Sequence, residues 1–160
     1  MRAIIALRRY AAVYKKILIP IDGSEGSDLA LDYCLRMLDS EKPEKIVLFN
    51  VVSYPTQLET YSGKMRSVMK KAKEDLAEYG DEILARAKDK IMAKGTDVPL
   101  ETKLIWGDPK LEIIQEADQG KYDLVIIGSR GLSGIKSFFL GSVGSHVAQN
   151  VKCTVVLVKE

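Results

Sequence analysis

The chain has 160 residues, of which 46% are hydrophobic and 29% charged, with a formal net charge of +2. That length fits one domain able to bury its own core, and the small, interspersed charge gives a nucleic-acid partner no electrostatic footing. No apolar run approaches the roughly 20 residues that a bilayer-spanning helix needs, which argues against a membrane protein.

Residues 1–14 (MRAIIALRRYAAVY) read as an N-terminal extension. Their apolar patch, Ala3 to Leu7, is too short for a secretory signal core and is cut by Arg8 and Arg9. The domain proper is expected over residues 15–160, beginning with Lys16 to Ile21 (KILIPI) as a buried strand. The turn DGSEGSD follows, with Asp22, Gly23 and Ser24 passing the chain from strand to helix. Ser24 suits the N-cap, and Glu25 and Asp28 fall in the first turn, where acidic side chains complement the helix dipole. This helix is expected to reach Leu38 and to bury Ala30, Cys34 and their neighbours one turn away.

Lys45 to Val52 (KIVLFNVV) reads as a second strand, and Ser53 to Gly63 (SYPTQLETYSG) as a loop without period. From Lys64 to Lys94 the residues Met65, Val68, Met69, Ala72, Leu76, Tyr79, Ile83, Ala87 and Ile91 recur at steps of three and four, predicting one long amphipathic helix. Gly80 is expected to bend or split it. Leu100 to Trp106 (LETKLIW) is a third strand; Gly107, Asp108 and Pro109 then supply turn, N-cap and first helical residue of a helix ending near Gly120.

Leu124 to Ile127 is a short apolar run suited to a strand buried on both faces, and it stops at Gly128. A glycine-rich loop leads to Phe138, Phe139, Leu140, Val143 and Val147 at helical spacing, with the helix start placed at Gly141 and Ser142 and Ser142 suited to the N-cap. Cys153 to Val158 (CTVVLV) closes the chain as a fifth strand.

Strands alternating with helices imply a parallel sheet with helices on both faces. Ligands of such sheets sit beyond the carboxyl ends of the strands, where the winding reverses. In the order 3-2-1-4-5 the reversal lies between strands one and four, so the DGSEGSD turn and the glycine loop face one crevice. Their charges differ. Asp22, Glu25 and Asp28 repel phosphate, yet a carboxylate there accepts hydrogen bonds from ribose hydroxyls or holds a metal ion. The other loop combines backbone donors at Gly128, Gly131, Gly141 and Ser142 with the positive charge of Arg130 and Lys136, next to a helix N-terminus. A nucleotide bridging the two loops places base and ribose toward Pro20, Asp22 and Val51 and phosphates toward the glycines, with Ser24 on the ligand side of the acidic turn. The chain lacks GxxxxGK[ST], which excludes a P-loop.

The spacing Gly128-x-x-Gly131, nine residues, Gly141-Ser142 resembles the ATP-binding motif of the universal stress protein family. DLVIIGSRG followed by LGSVGSHV is similar to its signature, KILIPIDGSEGS to its opening strand and turn, and GDPKLEIIQEA to its third turn and helix. The resemblance covers about residues 15–159. It implies a five-stranded 3-2-1-4-5 domain that dimerises through its last strand and, in the motif-bearing branch, binds ATP. It also implies adenine and ribose contacts at Pro20, Asp22, Val51 and Ile127, phosphate contacts at Gly128, Arg130, Gly131, Gly141, Ser142 and Val143, and an accompanying divalent ion, Mg or Mn. Two departures stand out. Asn50 replaces a histidine common in the family, a change expected hardly to touch the site, and Gly144 creates a second register, Gly131-x-x-Gly134, nine residues, Gly144-Ser145. The first register is preferred because it begins at the strand end.

No residue set beside the glycine loop offers an evident water-activating base. The expected function is therefore an ATP-binding regulatory or stress-response protein with little or slow hydrolysis. A nucleotide-free dimeric interaction module and a true enzyme, an ATPase or nucleotidyl transferase, stay open. The apolar last strand is an exposed-edge hazard that pairing with a second copy relieves, so a homodimer is expected. Cys34 and Cys153 match no metal spacing and read as free thiols in a reducing compartment, hence a cytoplasmic protein with an unidentified regulatory partner.

Overall fold

The structure, a computed structural model, describes residues 14–53, 63–131 and 141–159. The expectations for residues 1–13, for most of the loop after the second strand, and for Gly134, Lys136, Phe138, Phe139 and Leu140 fall outside the described residues.

Strands β1 (Lys16–Pro20), β2 (Lys45–Val52), β3 (Leu100–Trp106), β4 (Leu124–Gly128) and β5 (Thr154–Val158) alternate with helices α1 (Glu25–Met37), α2 (Lys64–Met92), α3 (Pro109–Gln119) and α4 (Ser142–Asn150). The strands form one sheet in the order β3-β2-β1-β4-β5, and every pairing is parallel. The expected order therefore holds.

Alternation along each strand divides the interior in two. Ile17, Ile19, Ile46, Leu48, Leu124 and Ile126 meet Ala30, Leu31 and Cys34 of α1 and Ile83, Leu84, Ala87 and Ile91 of α2. Leu18, Val47, Phe49, Val125 and Ile127 meet Ile113 and Ala117 of α3 and Val147 of α4 on the opposite face. Each fully buried side chain of this size contributes about 1.5–3 kcal/mol, which is why β1 and β4 read as apolar runs and β2 as one broken only at Asn50.

The helix caps agree with the local chemistry. Ser24 Oγ accepts from the Ser27 N–H at 3.2 Å, and Asp108 Oδ1 accepts from the Lys110 N–H at 2.9 Å ahead of Pro109. At α4 the expectation shifts by one residue, because Gly141 occupies the N-cap and Ser142 the first helical position, with no side-chain cap bond.

α2 departs from expectation in two ways. It runs unbroken through Gly80, and only its second half is covered: Gly80, Ile83, Leu84, Ala87 and Ile91 are buried, whereas Met65, Val68, Leu76 and Tyr79 are exposed. Length explains this. Twenty-nine residues at about 1.5 Å each make a helix far longer than an eight-residue strand at about 3.3 Å each, so the first half overhangs the strand ends. Gly80 serves close approach instead of a bend. A Cβ there would stand 2.6 Å from Leu104 Cδ1 and 2.9 Å from Asn50 Oδ1.

Candidate functional site

At the carboxyl ends of β1, β2 and β4 a cleft of about 460 Å³ opens where the winding reverses. Ten of the eleven residues expected at the site line it: Pro20 and Asp22 from the end of β1, Val51 from β2, Ile127, Gly128, Arg130 and Gly131 from β4 and its loop, and Gly141, Ser142 and Val143 from the start of α4. Ser24 does not line it. Its hydroxyl is committed to the turn, donating to Asp22 Oδ1 at 2.5 Å while accepting from Ser27.

Local bonding shapes both walls. Asp22 Oδ1 also accepts from the Ser24 N–H at 3.0 Å, and Gly23 turns the chain with φ 80°. Asp22 Oδ2 lies beside Gly131, where a Cβ built on the glycine would stand 3.0 Å from it. On the opposite wall the Gly141 N–H donates to Ser129 O at 2.7 Å, tying the start of α4 to the end of β4. Gly144, of the second register, lies buried inside α4 and also lines the cleft.

Gly128 has a second duty. A side chain on it would collide with the Gly26 backbone in the first turn of α1, and a side chain on Gly26 would collide with the Arg130 carbonyl. These two glycines let α1 lie directly on the end of β4.

Sequence reasoning missed several lining residues. Leu76, Tyr79, Gly80 and Ile83 of α2 form one wall, and Pro109 and Ile113 of α3 contribute to another. The exposed α2 stripe was visible in the sequence, but periodicity does not say what a face looks onto. Asn50, expected hardly to touch the site, lines the cleft.

The ionisable side chains lining the cleft, among the described residues, are Asp22, Tyr79 and Arg130. His146 does not line it. The groups shifted most belong to the interior: burial pushes the Cys34 thiol up to about 12, and burial together with the Tyr122 hydroxyl's bond to Glu116 Oε1 at 2.9 Å raises the phenol of Tyr122. Among the described residues, no group of three or more His, Cys, Asp or Glu side chains is placed to hold a metal ion. Asp22 Oδ2, which takes no bond from Ser24, and the first-turn N–H groups of α4 are among the polar groups the cleft offers a ligand, whereas the Gly141 N–H is spent on Ser129 O.

A five-stranded 3-2-1-4-5 parallel sheet with a crevice between the β1 turn and the β4 loop defines a doubly wound α/β protein with its cleft at the winding reversal. The universal stress protein family profile matches residues 13–159, and the chain belongs to that family. Universal stress protein MJ0531 of Methanocaldococcus jannaschii is 30% identical over 154 residues, covering 96% of this chain and 87% of its own. The solved structure of MJ0577, from the same organism, superposes with a TM-score of 0.77 at 26% identity, covering 92% of this chain and 96% of that one. A universal stress protein solved in complex with cAMP superposes with a TM-score of 0.64 at 26% identity, covering 91% and 97%. No helix among the described residues is long and apolar enough to cross a membrane.

Proposed function

We propose that the cleft binds an adenine nucleotide, ATP in the first instance, and that the protein is a nucleotide-dependent regulatory or stress-response factor with little or slow hydrolysis. The carrying observation is that the Asp22 carboxylate, Gly131 and the start of α4 come together in one cleft. A carboxylate able to accept from ribose hydroxyls shares the cleft with a helix N-terminus suited to phosphates. Base and ribose lie along Pro20, Asp22, Val51 and Ile127. The phosphates lie along Gly128, Arg130, Gly131, Gly141, Ser142 and Val143, with Mg or Mn held by the phosphates. The cAMP complex of a family relative supports an adenine nucleotide as the ligand class. The lack of a second carboxylate or a histidine in the described lining favours binding over turnover.

Residues 1–14 are an extension to the nucleotide-binding domain over 15–160. The free thiols of Cys34 and Cys153 suit a cytoplasmic location. The protein forms a homodimer through β5, an open edge of the sheet whose Val155, Val156 and Leu157 are only half-buried. A regulatory partner protein then reads the nucleotide-bound state.

Titration calorimetry with ATP and Mg²⁺ tests the site. Saturable heat is expected from the wild type and about 100-fold weaker binding from Gly131→Val, whose side chain occupies the phosphate path. Equal binding by both proteins overturns the loop assignment, and no binding by either points to a nucleotide-free interaction module. Light scattering at micromolar concentration should give twice the chain mass of 17.8 kDa; a monomer removes the β5 pairing.

A further inference from the structure

Four buried polar side chains occur among the described residues, Ser24, Ser27, Asn50 and Ser129, and of these only Asn50 lines the cleft. It sits on β2 between Leu48 and Val52, on the face that turns toward α2. Its Nδ2 donates to the Ile21 carbonyl at 2.5 Å.

That carbonyl lies at a junction. The β1–β2 register ends at Pro20↔Phe49, and the Ile21 N–H still reaches Phe49 O at 2.9 Å. The ladder then stops, and the Asn50 side chain takes the Ile21 carbonyl in place of a strand N–H. The chain is thereby released from β2 one residue before Asp22 but held at a fixed point. From that point Asp22 Oδ1 collects its two bonds from Ser24, which leaves Oδ2 aimed at Gly131.

Gly80 completes the arrangement. Since a Cβ on it would come within 2.9 Å of Asn50 Oδ1, the glycine gives the amide its room beneath α2. Glycine inside a helix costs about 1 kcal/mol relative to alanine, and the space it leaves here is filled by this amide and by Leu104.

We propose that Asn50 is a positioning residue: its amide fixes the exit of β1 and so sets the Asp22 carboxylate in the cleft, with Gly80 supplying the space. The effect on ligand choice rests on the reading that Asp22 takes the ribose of a nucleotide. The positioning itself is independent of that reading and is tested without ligand.

Amide hydrogen exchange of the ligand-free protein compares Ser24, whose N–H donates to Asp22, with the strand amides of Ile46 and Leu124. In Asn50→Leu, which keeps the branched shape at somewhat larger volume and removes the donor, Ser24 exchange should accelerate about tenfold relative to those controls, the scale of one deleted hydrogen bond to a buried carbonyl. Asn50→Ser is too short to reach Ile21 and imposes no bulk; it should do the same should the leucine variant fold poorly. With nucleotide, the wild-type preference for ATP over 2′-deoxy-ATP should fall toward unity in both variants while each still binds ATP. General damage lowers both affinities together and leaves their ratio intact. Ser24 exchange that moves no more than the controls overturns the proposal; accelerated exchange with an unchanged ratio upholds the positioning and overturns its effect on ligand choice. A wild type that binds no ATP removes the nucleotide reading, and the exchange comparison still decides the positioning.

Discussion

Gly128 ends β4 and Gly131 stands three positions on, in the loop that follows; both belong to the same motif, yet their surroundings differ in kind. A side chain on Gly128 meets main-chain atoms of Gly26, which cannot swing aside. On Gly131 it meets only Asp22 Oδ2, at 3.0 Å, the end of a side chain. The first glycine lets α1 close over β4; the second keeps a cleft open. A glycine motif therefore mixes residues the fold requires with residues a ligand requires, and only the neighbour of the missing Cβ separates them.

The sharpest way to break this contrast is Gly128→Val. Backbone faces the new side chain, so α1 must lift from the sheet, and a loss of about 3 kcal/mol or more is expected. Urea unfolding measures it; a midpoint within error of wild type would mean that α1 retreats freely and that the two glycines are equivalent. Gly131→Val should leave the midpoint nearly in place, with a loss below about 1 kcal/mol, because a half-exposed carboxylate can turn away. Its expected effect is on ATP affinity, about 100-fold or roughly 2.7 kcal/mol by calorimetry. Equal stability losses at both positions would erase the distinction.

Asp22→Asn probes the opposite wall. The amide oxygen can still accept from Ser24, so folding should be little affected. Exchanging a charged acceptor for a neutral one weakens a hydrogen bond to ribose by about 1 kcal/mol, and ATP should bind about fivefold more weakly with 2′-deoxy-ATP nearly unchanged. Equal weakening of both nucleotides would place Asp22 away from the sugar.

The sequence made the strands legible because β1, β2 and β4 are buried on both faces and leave apolar runs between turn residues, broken in β2 only at Asn50. The position of the cleft followed from the winding reversal. What escaped depends on relations between distant segments. Periodicity in Lys64 to Met92 reveals a face but not that a 29-residue helix overruns its sheet. A polar residue in KIVLFNVV looks like a substitution until the Ile21 carbonyl is seen beside it. Gly80 looks like a helix breaker until Leu104 and Asn50 are seen beneath it. Gly141 and Ser142 are both acceptable N-caps, so local chemistry alone could not choose between them.

Gly144 gives the smallest expected effect and locates the boundary between the two kinds of glycine. It lies inside α4, where replacing glycine by alanine gains about 0.8–1.0 kcal/mol of helix propensity. Against that gain, a Cβ would stand 3.1 Å from the Gly128 carbonyl oxygen and 3.1 Å from Leu157 Cδ2. The leucine sits on the half-covered edge strand and can rotate, whereas the carbonyl must be met by a shift of a few tenths of an ångström in α4. The opposing effects nearly cancel, so Gly144→Ala should unfold within about 1 kcal/mol of wild type and bind ATP within about twofold. A loss as large as that at Gly128 would show that the backbone seam runs from α1 across the end of β4 to α4. The ligand-facing role would then be confined to Gly131 and Gly141, the two glycines that flank the mouth of the loop.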